Sequence, residues 1–143
     1  MTGKTYTGGC LCGAVRYEAS VAPANSHYCH CRMCQRATGN VFGMFVMFPM
    51  DKFRFTGAAP KRYRASAFAE RGFCGGCGTP LLFQYDNHRD RIGITLGSLD
   101  HPEDAPPERH IGVESHVPWL KLDDGLPQGE TKLGPEITDV QTG

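Results

Sequence analysis

The chain has 143 residues, and its 15 Lys and Arg balance 15 Asp and Glu to leave no formal net charge. That length suits one domain around a single core, and the balance excludes the broad basic surface that nucleic acid or anionic membrane requires. No run approaches the roughly 20 apolar residues of a membrane span, and residues 1–6 lack the apolar centre of a secretory signal, so a cytoplasmic protein is expected.

Gly, Pro, Asn and Asp recur at short intervals between residues 4 and 116. The segments between them favour β-branched and aromatic residues, which predicts a mostly β fold. In chain order, strands are expected over 14–19, 42–48, 52–56, 61–64, 81–85, 92–96 and 110–114. Alternate residues are apolar in several of them, as with Phe53 and Phe55 or Ile92, Ile94 and Leu96, giving each strand one face for a core. Helix is confined to a turn or two over 32–37, ahead of Gly39. After Val117, Pro118, Pro127 and Pro135 predict an irregular surface tail, disordered over its last ten residues. The chain thus reads as one domain over 1–143, with a core over 1–127 and the tail over 128–143.

Cysteine stands at 10, 12, 29, 31, 34, 74 and 77. Seven is odd, all lie in three tight groups, and a reducing compartment keeps thiols free, so metal thiolates are expected rather than disulfides. In GGCLCG, residues 10 and 12 project to one face of an extended segment, and both sulfurs can address one ion. In CGGCG, the glycines let the backbone fold around an ion and turn N–H groups toward Cys74 and Cys77. Together these half-sites supply the four sulfurs of a closed, tetrahedral structural zinc site. A redox CxxC at 74 and 77 would need an alternating βα context, which is not visible.

The middle group, YCHCRMCQR, brings Cys29, Cys31 and Cys34 within reach of one ion and leaves a fourth corner. Either that corner stays open, as in catalytic zinc sites, or His27, His30 or a distant histidine closes it. Three thiolates make zinc a poor Lewis acid for hydrolysis. A thiol entering the open corner would instead lose its proton and remain nucleophilic toward a reactive carbonyl.

Five segments in order carry a resemblance: GGCLCGAVRY (8–17), CHCRMCQRATG (29–39), FCGGCGTPLLF (73–83), GSLD (97–100) and HIGVESHVPWLKLDDGLP (110–127). With them the chain resembles the glutathione-dependent formaldehyde-activating enzymes, whose wider group includes centromere protein V-like proteins. The resemblance implies β-sheets pinned by zinc, as in Mss4-like folds. It implies a structural ion on Cys10, Cys12, Cys74 and Cys77 and a catalytic one on Cys29, Cys31 and Cys34. Two zinc ions per chain are expected, the three-cysteine site being the more easily emptied. The activity implied is that of a carbon–sulfur lyase joining glutathione to formaldehyde, an S-(hydroxymethyl)glutathione synthase; a non-catalytic module holding glutathione or a partner protein is the rival reading. Where the family commonly has lysine after the serine of the last motif, this chain has His116, whose charge depends on pH.

Glutathione carries two carboxylates, and Arg32 and Arg36 are the cations nearest in sequence to the open site, though they read equally well as solvated arginines on a helical turn. Lys61, Arg62 and Arg64 suit a solvated strand edge. Trp119 is expected to anchor the tail on the core, and His30 to be an exposed neighbour of the ligands. Phe42, Met44, Phe45, Met47 and Phe48 read as core, with some available to line a pocket.

Overall fold

Alternation along the strands sorts the apolar residues onto two sheets, which a computed structural model describes over residues 3–131. Strands β1 (Tyr6–Gly9), β2 (Arg16–Ala19) and β5 (Phe53–Phe55) form a small antiparallel sheet in the order β1-β2-β5. The larger sheet contains β3 (Ala24–Cys29), β4 (Gly43–Pro49), β6 (Lys61–Ser66), β7 (Ala69–Phe73), β8 (Pro80–Tyr85), β9 (Arg91–Thr95) and β10 (Arg109–Ile111). Its order is β10-β3-β4-β9-β8-β7-β6, antiparallel except where β10 lies parallel to β3. Among the described residues a single α-helix, α1 (Arg32–Thr38), follows β3 and ends at Gly39, whose left-handed φ of 73° needs glycine.

Period-2 alternation places the core and the site on opposite faces of the large sheet. Along β4, Val46 and Phe48 are buried with Ile92 and Ile94 of β9 and Leu82 of β8, and they meet Tyr17, Ala19 and Phe53 of the small sheet. Each such fully buried side chain contributes about 1.5–3 kcal/mol. Phe45 and Met47 point the other way, to the face that also carries Cys29, Phe83, Tyr85 and Arg71.

The mostly β expectation holds, and the seven expected strands and the helical turn are present with shifted ends. Strands β1, β3 and β7 were not expected: the sequences YTGG, ANSHYC and AERGF carry too few apolar residues to announce a strand. The last expected strand is cut short because Gly112, at φ +67°, turns the chain into a 3-10 turn at Val113–Ser115. Lys61, Arg62 and Arg64 lie exposed on β6, the sheet edge, as their charge suggested. Trp119 does not anchor the tail: it is 68% exposed, because the segment around it is an irregular surface turn without a strand to hold it down. Residues 118–131 are irregular except for a bridge from Gln128 to His110, and residues 132–143 of the expected tail lie outside the described residues.

Candidate functional site

The first two cysteines follow β1 in a turn, not on the extended segment expected: Gly13 N–H closes back on the Cys10 carbonyl at 3.1 Å, with Gly13 at φ +81°. A matching turn after β7 has Gly78 N–H on the Cys74 carbonyl at 2.8 Å. These turns bring the sulfurs of Cys10, Cys12, Cys74 and Cys77 within 4.8 Å of one another. Cys10 to Cys12 is 3.6 Å and Cys12 to Cys74 is 3.7 Å; a tetrahedron with metal–sulfur bonds of ~2.3 Å has edges of ~3.8 Å. Backbone N–H groups of Val15, Gly76 and Cys77 donate to the Cys10 and Cys74 sulfurs at 3.3–3.4 Å, the setting a thiolate prefers. The Thr79 hydroxyl and backbone, ahead of other contacts, bring the Cys77 thiol down to about 5. The set joins an end of the small sheet to the β7–β8 turn of the large one.

The second set is built by one strand end and one helix start. Cys29 closes β3, Cys31 caps α1 with its sulfur accepting from Cys34 N–H at 3.4 Å, and Cys34 lies in the first turn. Cys29 and Cys31 sulfurs are 3.4 Å apart, and all three lie within 4.8 Å. Among the described residues no histidine or carboxylate joins this set. Nδ1 of His27 donates instead to the Asn25 carbonyl at 2.7 Å, and His30 points to another partner.

Contacts from Cys29 and Cys31, with the Arg71 guanidinium adding to them, hold the Cys34 thiol well below its ordinary value. Contacts with Cys31 and Cys34, with burial, push Cys29 up; Cys31, although Cys29 acts oppositely, is pushed to about 11 by Cys34 and burial. A divalent cation is what ionises all three, so the donor set fits a thiolate metal such as zinc.

Arg71, on β7, places Nη2 3.6 Å from the Cys34 sulfur, with its guanidinium 5.9 and 5.8 Å from the ring centres of Phe45 and Phe83. Sequence reading missed this residue, since thirty-seven positions separate it from Cys34 and only the β7–β8–β9–β4 pairing brings it to the site.

His30 is fully buried rather than exposed. Its Nε2 lies 2.8 Å from Nδ1 of His110, and Nε2 of His110 donates to Asp124 at 2.9 Å. A neutral His110 that donates to Asp124 accepts at Nδ1, so His30 donates from Nε2 and keeps a lone pair on Nδ1. That Nδ1 is the one buried side-chain nitrogen or oxygen without a hydrogen-bond partner among the described residues. Burial first, then His116 and His110, lower the His30 value to about 4, so the ring is neutral near pH 7. The backbone repeats the connection: His30 N–H donates to Ile111 at 2.9 Å, and the Gln35 amide donates to the His30 and Ser115 carbonyls at 2.8 and 3.0 Å.

Cys29, Cys31 and Cys34 line a cavity of about 570 Å³. Phe45, Met47, Phe83 and Tyr85 form its sheet wall, and residues 127–131 lie along its far side. Arg91 and Arg109 also line it, and neither pairs with a carboxylate among the described residues. Arg32 and Arg36, the cations singled out from sequence, do not line this cavity: both are exposed on α1, and Arg32 donates to Gln35.

The sequence pattern of the glutathione-dependent formaldehyde-activating enzymes matches residues 5–115, which include all seven cysteines. The chain belongs to this family. An uncharacterized lyase of Schizosaccharomyces pombe is 34% identical over 85 residues, which make up 59% of this chain and 61% of that protein. The chain therefore spans less than two thirds of the relative it matches. A Rhodobacter sphaeroides protein known from its crystal structure has a similar fold, with a TM-score of 0.55 and 19% identity over 86% of this chain and 98% of that one. In this member of the formaldehyde-activating family, Asp124 and the cavity residues 127–131 lie beyond the matched stretch. His116, where the family commonly has lysine, packs its ring 4.6 Å from that of His30 and does not line the cavity.

Proposed function

We propose that the chain is a single-domain, zinc-dependent carbon–sulfur lyase of the S-(hydroxymethyl)glutathione synthase type. In this reading Cys10, Cys12, Cys74 and Cys77 hold a structural ion, and Cys29, Cys31 and Cys34 hold a catalytic one. The observation that carries it is the asymmetry of the two sets: four donors gathered in one, and three donors lining a cavity in the other. Family membership and the lyase of fission yeast support the reaction class.

When bound, zinc supplies the positive charge that draws the proton from an incoming thiol and keeps the sulfur anionic. The chain's own residues do the remainder. Arg71 offsets the negative charge of the thiolate cluster from 3.6 Å. Arg91 and Arg109 suit the two carboxylates of glutathione. The thiol sulfur bonds to the carbonyl carbon of formaldehyde or a similar small electrophile, the C=O pair moves to oxygen, and oxygen takes up the proton the thiol lost. Nothing is oxidised or reduced, and such chemistry belongs in the thiol-rich cytoplasm.

The test is consumption of formaldehyde with glutathione, measured above the spontaneous reaction for the full chain and for Cys31→Ser. We expect a rate above background that the substitution abolishes. Equal rates would leave only a thiol-holding module.

A further inference from the structure

The cavity is far larger than a formaldehyde site needs, and part of its lining does not suit glutathione. Formaldehyde has two non-hydrogen atoms. Glutathione is polar along its length, with two carboxylates, an ammonium group and two amides. Beside the three sulfurs, however, Met33, Phe45, Met47, Phe68, Phe83 and Tyr85 give the cavity an apolar wall. Its rings are ordered edge to face: Phe45 on Phe83 at 5.0 Å, and Phe83 on Tyr85 at 5.7 Å, with Phe68 stacked on Tyr85 at 6.3 Å. All but Phe45 are only half-buried, and all six border this cavity. Apolar and aromatic lining around a few placed polar groups is the signature of a small-molecule site that buries an apolar group.

Resting on the reading above, we infer that the electrophile is an aldehyde bearing an apolar or aromatic substituent, which packs against this wall. The thiol's carboxylates lie toward Arg91 and Arg109, its sulfur lies at the three cysteines, and the aldehyde substituent lies against the Phe68, Tyr85 and Phe83 rings. The balance is unchanged: RSH and R′CHO give RS–CH(OH)R′, the C–S bond forming as the carbonyl pair takes the thiol's proton.

Stable thioethers test this without turnover. Calorimetry on the zinc-loaded full chain compares glutathione, S-methylglutathione and S-benzylglutathione, with Phe68→Ala as the variant, since Phe68 lies in the β6–β7 turn outside the main core. We expect the benzyl conjugate to bind at least tenfold more tightly than the methyl conjugate, and the variant to narrow that gap severalfold. Benzyl binding no tighter than methyl, with glutathione still bound, overturns the inference alone. Failure of glutathione itself to bind overturns it together with the lyase reading.

Discussion

Nε2 of His30 sits 2.8 Å from Nδ1 of His110, although eighty residues separate them, and both rings are shielded from solvent. His30 lies between two of the three clustered cysteines, so its partner fixes the turn that presents them. His110 in turn stacks on Tyr28 at 4.4 Å and is oriented by Asp124. Phenylalanine at 110 keeps the stacked plate but offers His30 no acceptor; asparagine restores one near the Nδ1 position. His110→Phe should cost about 1–3 kcal/mol and lower bound metal from about two ions per chain to about one, while His110→Asn retains both. Elemental analysis beside thermal unfolding checks this, and full metal content in His110→Phe would refute the positioning role.

The two sulfur sets should part company when metal is withdrawn. Fewer donors hold less tightly, so a chelator titration removes one ion first with little change in the far-ultraviolet circular dichroism. Loss of the second ion then unfolds the chain, because the four-sulfur set joins the two sheets. Cys34→Ser reproduces the first state and Cys77→Ser the second. Simultaneous loss of both ions with unfolding would contradict the division.

Arg71 faces a cluster of sulfurs and, among the described residues, pairs with no carboxylate. A charge-assisted contact of this kind is worth about 1.5–3 kcal/mol, so Arg71→Met should weaken glutathione binding at least tenfold. Arg71→Lys should recover only part, because an ammonium lacks the flat face that rests on Phe45 and Phe83. Unchanged affinity by calorimetry in Arg71→Met would show that the charge is not used.

Gly93 gives the wall its room. A methyl group at this position would lie 2.1 Å from the Phe83 ring, and the ring would have to swing away. Gly93→Ala is therefore expected to cost about 1–3 kcal/mol in urea unfolding, and to lower affinity for S-benzylglutathione more than for glutathione.

Asp100 offers a pH test away from the sulfurs. Two hydrogen bonds from Arg16, with another from Thr7, hold its carboxyl down to about 2. The stabilisation is complete above the ordinary carboxylate value near 3.9 and disappears as pH falls from there through about 2. The pair is about a third exposed on each side, which limits it to about 1 kcal/mol or less. Asp100→Asn should lower the urea midpoint at pH 7, and the difference from the parent chain should shrink below pH 4.

Much of this was legible in the sequence because local spacing encodes it. The CxxC and CxC groups announce sulfur turns wherever the chain later puts them, and β4 and β9 show their alternation openly. What was hidden depends on register between distant strands. β3 reads as polar because one of its faces carries His27 and Cys29 toward the cavity, and β7 reads as charged because Glu70 and Arg71 separate its buried Ala69 and Gly72. His30 looks like a surface residue until the parallel pairing of β10 with β3 delivers His110 to it. Arg32 and Arg36 are near the three cysteines only along the chain, whereas the cavity's arginines come from β7, β9 and β10.

The β10 pairing also sets an order of assembly during synthesis. All seven cysteines have left the ribosome once residue 77 emerges, and the closed sulfur set can form then. The clustered trio must wait for His110, Asp124 and residues 127–131 to arrive before its turn is clamped and its cavity walled. Until that late stage the nascent chain carries three neighbouring thiols open to oxidants and stray metals, and pairing of the last strand is what ends that exposure.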